Sequence, residues 1–124
     1  MQFQVTFECA GPVWVARFWA ETLGYRAGYD KEQDGVAAAL DPTGMGPRLF
    51  FQRVPESKVV KNRVHLDVRV GTGLVGEERL AALEAECARL EKLGAVRGQL
   101  LLAEEENESC QVMQDLECND FCLA

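Results

Sequence analysis

Histidine is almost missing from this chain: among 124 residues it occurs once, at His65. Any site built on several imidazoles is therefore excluded, and no Ser-His-Asp order or other nucleophile–base pair is present to support acyl transfer. Basic charge is also scarce. Thirteen Lys and Arg stand against 20 Asp and Glu, a formal −7, which argues against binding nucleic acid through its phosphates. No apolar run approaches the roughly 20 residues of a membrane-spanning helix, so no membrane partner is expected. The start, "MQFQVTFECAG", lacks the basic region and small-residue cleavage site of a signal peptide, and the expected location is cytoplasmic. The five cysteines are odd in number, irregularly spaced and without a Cys-x-x-Cys pair. That excludes a disulfide framework and a structural zinc knuckle, leaving most of them as small core residues. A phosphate cradle is missing too, because Gly44 and Gly46 lie in a "PTGMGP" hairpin with no helix after it.

What is present is repetition. "ETLGYRAG" (21–28) lines up with "EKLGAVRG" (91–98) at an offset of 70. In both, a Leu-Gly pair closes a helix, the glycine taking the left-handed conformation that ends it. In the first helix Pro12 suits the opening turn. Val15, Phe18, Trp19, Thr22 and Leu23 then share one face, making Trp19 a core residue rather than a substrate platform. In the second, Leu80, Leu83, Cys87 and Leu90 form the stripe.

A strand of period two precedes each helix. In "FQVTFEC" Phe3, Val5, Phe7 and Cys9 form one face and Gln4, Thr6 and Glu8 the other. In "VHLDVRV" Val64, Leu66, Val68 and Val70 oppose His65, Asp67 and Arg69. The apolar faces would pack on the helices and the polar faces point away. Further strands are expected at 25–30, 36–40 and 48–54, and again at 96–103, 110–114 and 121–123, with turns at "DKEQDG" and "DPTGMGP". The plan is strand, helix, three strands, written twice: modules of about 1–58 and about 59–124 in one domain, since "PESKVVKN" is only a short crossover. From Glu77 to Glu108 the chain carries nine acids and four bases. A solvated face explains this run; attraction for a cationic ligand would require it to face a pocket.

A duplicated β-α-β-β-β chain resembles the vicinal oxygen chelate superfamily, in particular its glyoxalase-like and bleomycin-resistance-like members. The residues that carry the resemblance are "ARFWAETLGYR", "RLFFQRVPE", "NRVHLDVRV", "LEKLGA" and "VMQDLECNDFCLA". It implies an α+β fold, two tandem modules forming a cupped mixed sheet with helices on the convex side and the ligand on the concave side. In metal-dependent members each module supplies one ligand from its first strand and one from its last. Carried over, these positions fall on Gln4 and His65, then on Gln52 (Phe51 if the strand slips by one) and Cys122. The usual last-strand glutamate is Cys122 here, and in the turn before it the usual proline and glycine are Leu116 and Cys118, which puts strain or a rearranged turn at Cys118.

A candidate set of Gln4, Gln52, His65 and Cys122 contains no carboxylate and two neutral amides, a poor cage for a hydrated cation. The reading this favours is a small-organic-molecule binder that uses His65, Gln4, Thr6, Asp67, Arg69 and Gln52 without a catalytic metal. A drug-sequestering role is one version, and the −7 charge would suit a cationic drug. The alternative is a lyase, isomerase or dioxygenase dependent on one divalent ion such as Zn, Ni, Mn or Fe. A non-catalytic partner-binding domain is a third. Whether the chain is an enzyme stays open, and the resemblance implies a homodimer.

Individual residues carry further expectations. His65 is a metal ligand, an orienting or acid–base group, or a solvated remnant of a metal site. Asp67 or Glu8 could tune it; Asp67, two residues on, lies about 7 Å along the strand, a neighbour that need not be in direct contact. Phe51, Met113 and Phe121 line a pocket or belong to the core, depending on register. Trp14 caps the cup or anchors the first helix, and the anchor is favoured. Tyr29 could offer a pocket hydroxyl.

Overall fold

The computed structural model describes residues 1–28 and 35–124. The expected strand end at Tyr29 and Asp30, the turn through residue 34 and the Tyr29 hydroxyl lie outside the described residues. The chain forms two compact units, Met1–Val59 and Val60–Ala124. No described helix is long and apolar enough to cross a membrane.

The first unit runs β1 (Gln4–Cys9), α1 (Pro12–Leu23), β2 (Arg26–Gly28), β3 (Val36–Leu40) and β4 (Arg48–Arg53). Its sheet has the order β1-β4-β3-β2, with β1 parallel to β4 and the remaining pairs antiparallel. The alternation of β1 sends Phe7 toward α1, where its ring lies 5.4 Å from Trp19 and 5.2 Å from Phe51. Trp19 and Phe51 are buried, so both are core. Trp14 is not the anchor expected: it is 65% exposed, with the Arg17 guanidinium 5.5 Å above its ring. Position 14 lies off the stripe defined by Val15, Phe18 and Trp19, so its ring is directed to solvent and to the next turn of its own helix.

The second unit repeats the plan: β5 (Asp67–Val68), α2 (Gly76–Lys92), β6 (Val96–Leu101), β7 (Cys110–Gln114) and β8 (Asp120–Leu123). Its sheet order is β5-β8-β7-β6, with β5 parallel to β8. Leu83, Cys87 and Leu90 of α2 bury against Met113, Phe121 and Leu123, so Met113 and Phe121 are core rather than pocket lining. The repeat is visible in single hydrogen bonds. Tyr25 N donates to Ala20 O at 2.8 Å and Ala95 N to Leu90 O at 3.0 Å, and Gly24 and Gly94 have φ of 70° and 106°. Gly94 has a second constraint, because a Cβ there would stand 2.5 Å from Leu116 Cδ2.

Two features depart from expectation. The strand at 62–70 shortens to the two-residue β5. Backbone bonds from Cys122 N to Leu66 O, Ala124 N to Val68 O and Val70 N to Ala124 O continue along it. Before it, the Asn62 side chain replaces the ladder: its carboxamide donates to Val64 O at 2.7 Å and accepts from Asp120 N at 2.8 Å. On α2, Arg79 rather than Leu80 heads the buried stripe.

Candidate functional site

The open face of the second sheet is set by parity. Along β8, Phe121 and Leu123 are buried and Asp120 and Cys122 face the other way. Cys122 is the register partner of Asp67, and His65, two residues earlier, projects from the same face. His65 Nε2 lies 3.2 Å from an Asp67 carboxylate oxygen, so the two do touch. The separation of their backbones along the strand is bridged by two flexible side chains leaning together. One ligating atom each of His65, Asp67 and Cys122 falls within 4.8 Å of the others. The cluster brings a carboxylate where the sequence offered amides.

Cys122 is tuned against ionisation. Burial chiefly, then the neighbouring Cys110 and the Asp67 carboxylate, push its thiol up to about 11. Cys110 is the first residue of the adjacent strand β7.

Beside this cluster opens a cavity of about 610 Å³, lined by Asp67, Arg69, Cys110, Leu101, Leu102, Glu104 and residues 106–109. That volume falls in the range of small-molecule sites. Asp67, Glu104, Glu106 and Glu108 bring negative charge to its wall and Arg69 and Arg79 positive charge. Arg79 is spoken for: it is 3% exposed, donates to Ser109 O at 2.9 and 3.2 Å and to Gly71 O at 2.8 Å, and pairs with Glu108 at 3.2 Å. It ties the cavity wall to α2. A side chain at Gly71 would collide with it, a Cβ there lying 2.8 Å from Arg79 Nη1.

In the first unit, Gln4 and Thr6 are exposed on the polar face. Gln4 donates to Thr6 Oγ1 at 3.3 Å and accepts from Arg48 at 3.1 Å. Gln52 shares that face but pairs in register with Glu8, whereas Gln4 pairs with Arg48. Four residues of strand, about 13 Å, separate the two amides, so they do not meet within their unit. The β6–β7 hairpin is four residues longer than the β2–β3 hairpin (Val96 pairs with Gln114, Arg26 with Leu40), and the β3–β4 turn is two residues longer than the β7–β8 turn, so the offset between the last strands is 72 rather than 70. Judged by register and burial, Phe50 rather than Gln52 or Phe51 occupies the place of Cys122.

The last turn is held by a buried acid. Asp115 Oδ1 accepts from Glu117 N and Asn119 N, both at 2.9 Å, and its carboxylate also receives the Asn119 amide. Cys118 sits in this turn at φ 64°, the left-handed conformation its place in the motif requires.

Sequence reasoning missed Asp67 as a contact of His65, and missed Arg79 and Asn62. For Asp67 the signal was available, since two residues apart on one strand face is within reach of an extended side chain. For Asn62 it was its place opening "NRVHLDV". A buried Arg79 had no signal beyond its place one residue before Leu80.

A tandem pair of β-α-β-β-β units with parallel first and last strands defines the glyoxalase-like fold. The family model described as "Glyoxalase-like domain" matches residues 4–124, and the chain belongs to that family. Among solved structures it is similar to a glyoxalase/bleomycin resistance protein/dioxygenase family enzyme from Burkholderia phytofirmans PsJN (TM-score 0.71, 14% identity, 97% of this chain and 94% of that one). It is similar also to the fosfomycin resistance protein FosX from Mesorhizobium loti (0.67, 12%, 99% and 89%). A third is FosX from Listeria monocytogenes complexed with Mn(II) and sulfate (0.72, 10%, 99% and 87%). At these identities the likeness is one of fold, and this fold hosts many functions. No curated protein matches the chain.

Proposed function

We propose that this chain binds a small organic molecule in the cavity of its second unit, with His65, Asp67 and Arg69 orienting the ligand and no metal required. The observation that carries the reading is the cavity of about 610 Å³ opening beside the His65–Asp67–Cys122 cluster. Its wall favours a cation. Arg79 is neutralised by Glu108 and by carbonyls, leaving Asp67, Glu104 and Glu106 against Arg69. The Gln4–Thr6–Gln52 face is proposed as a polar ligand-contacting surface of the first unit by itself, and a homodimer in the cytoplasm as the working form. Five reduced thiols suit that compartment. The test is thermal denaturation against a panel of organic cations and size-matched anions, with and without chelator. Stabilisation by cations, unchanged by chelator and lost in the Asp67→Asn variant, is expected. An inert panel would overturn the reading, and light scattering checks the dimer.

A second reading rests on the convergence of three donor types. The neighbour from Listeria monocytogenes was solved with Mn(II), and His65, Asp67 and Cys122 could hold a divalent ion here. An imidazole, a carboxylate and a thiol fit a borderline ion such as zinc better than hard manganese, and leave a fourth position open. A bound ion would supply Lewis acidity at that position. Because the Cys122 thiol is held protonated, loading would release a proton and strengthen with pH. Elemental analysis of protein purified without chelator decides. Near one equivalent, lost in His65→Ala, would replace the first reading with this one.

A further inference from the structure

Cys110 and Cys122 stand side by side on the open face of the second sheet. In the β7–β8 ladder Val112 is the register partner of Cys122, and Cys110 is two residues before it, on the same face. The two are diagonal neighbours on adjacent strands, near enough that Cys110 helps to push the Cys122 thiol up. Each thiol opens onto a different part of the site. Cys110 lines the cavity and Cys122 belongs to the cluster with His65 and Asp67. The other three cysteines lie elsewhere: Cys9 and Cys87 are buried and Cys118 is exposed in the last turn.

We propose that Cys110 and Cys122 form a reversible disulfide in response to peroxide, converting the open face of the second unit from a dithiol to a cross-strand bridge. The chemistry balances with peroxide as the oxidant. Cys110, the thiol that lines the cavity, gives up its proton and attacks the O–O bond as its thiolate, becoming a sulfenic acid while the departing oxygen leaves as hydroxide and takes up that proton as a first water. Cys122 sulfur then attacks the sulfenic sulfur, the S–O bond breaks, and the expelled hydroxide takes the Cys122 proton as a second water. Two thiols and one peroxide give one disulfide and two waters, and a dithiol reductant reverses it by exchange.

The backbone can accommodate the bond at one end only. Diagonal positions of a ladder are spaced slightly beyond ordinary disulfide reach, so one cysteine must approach. Cys122 is fixed by β5 on one side and β7 on the other, whereas Cys110 is the first residue of β7 and follows residues 106–109 of the cavity wall. Closure therefore pulls that wall toward β8, and removes the Cys122 thiol from the His65–Asp67 cluster. A bridge closed under such strain is easily reduced, as a reversible switch requires.

The test uses the full chain carrying Cys118→Ser, which removes the exposed thiol without touching the site. The protein is treated with hydrogen peroxide, unfolded and alkylated, and thiols are counted alongside non-reducing peptide mapping. Alkylatable thiols should fall from four to two, with one peptide pair joining Cys110 to Cys122 and full recovery with dithiothreitol. Cys110→Ser in the same background should show no cross-link. Four thiols still alkylated, sulfinic acid at Cys110 without a cross-link, or bridges only between chains would each overturn the proposal. Because the readout is covalent, it stands apart from the question of which ligand the cavity holds.

Discussion

Two cysteines show how a single position departs from its surroundings. Cys118 holds φ 64°, a conformation that costs a residue with a Cβ about 1–2 kcal/mol. Replacing it by glycine should raise stability by roughly 1 kcal/mol in urea denaturation with an unchanged m-value; a loss would mean the thiol makes a compensating contact. Cys122 is displaced in its titration, from an ordinary 9.0 to about 11. Its folded value is the higher one, so its contribution to stability is intact below about pH 9 and is lost as pH rises toward about 11. The difference in stability between metal-free wild type and Cys122→Ser should be flat at neutral pH and change only across that alkaline window. A difference that begins below pH 8 would contradict it.

At the scale of elements, Arg79 does the work expected of Leu80. Arg79→Ala would leave the Ser109 and Gly71 carbonyls without their donor and should cost about 3 kcal/mol or more. Glu108→Gln, on a side chain 64% exposed, should cost under about 1 kcal/mol. Equal losses in the two, measured by denaturant melts, would refute a dominant role for the carbonyl bonds. The sequence signals that succeeded were periodic or local. Leu-Gly closed both helices, the alternation of β1 separated Phe7 from Gln4 and Thr6, and all six later strands appear where the turn residues placed them. Those that failed concerned contacts made across distance in the chain. The 70-residue offset that aligns Leu23 with Leu93 does not extend to Gln52, because the β6–β7 hairpin is longer than the β2–β3 hairpin and Phe50 becomes the counterpart of Cys122. Strand "NRVHLDVRV" shortened because Asn62, a side chain, supplies bonds that a backbone ladder would have made. The closeness of His65, Asp67 and Cys122 required both the register of β5 on β8 and the rotamers of the side chains, neither of which is written in a period.

For the molecule as a whole, charge is the widest-ranging property. A formal −7 should draw an organic cation toward the chain at long range, an attraction that salt shortens to about 8 Å at physiological ionic strength. Cation-induced thermal shifts should therefore shrink markedly between about 0.05 and 0.5 M salt, while any shift caused by a neutral ligand stays constant. A different whole-molecule consequence follows from the contrast between exposed Trp14 and buried Trp19. Both tryptophans and both tyrosines of the chain fall within residues 1–59, so tryptophan and tyrosine absorbance and fluorescence all originate in the first unit. With Trp14→Phe, the remaining emission comes from Trp19 alone, in the aromatic cluster with Phe7 and Phe18. Loss of that emission during denaturation times the opening of the first unit, whereas helical circular dichroism records α1 and α2 together. Superimposable curves would mean the two halves unfold as one cooperative body; separated curves would mean each half of the duplication keeps a stability of its own.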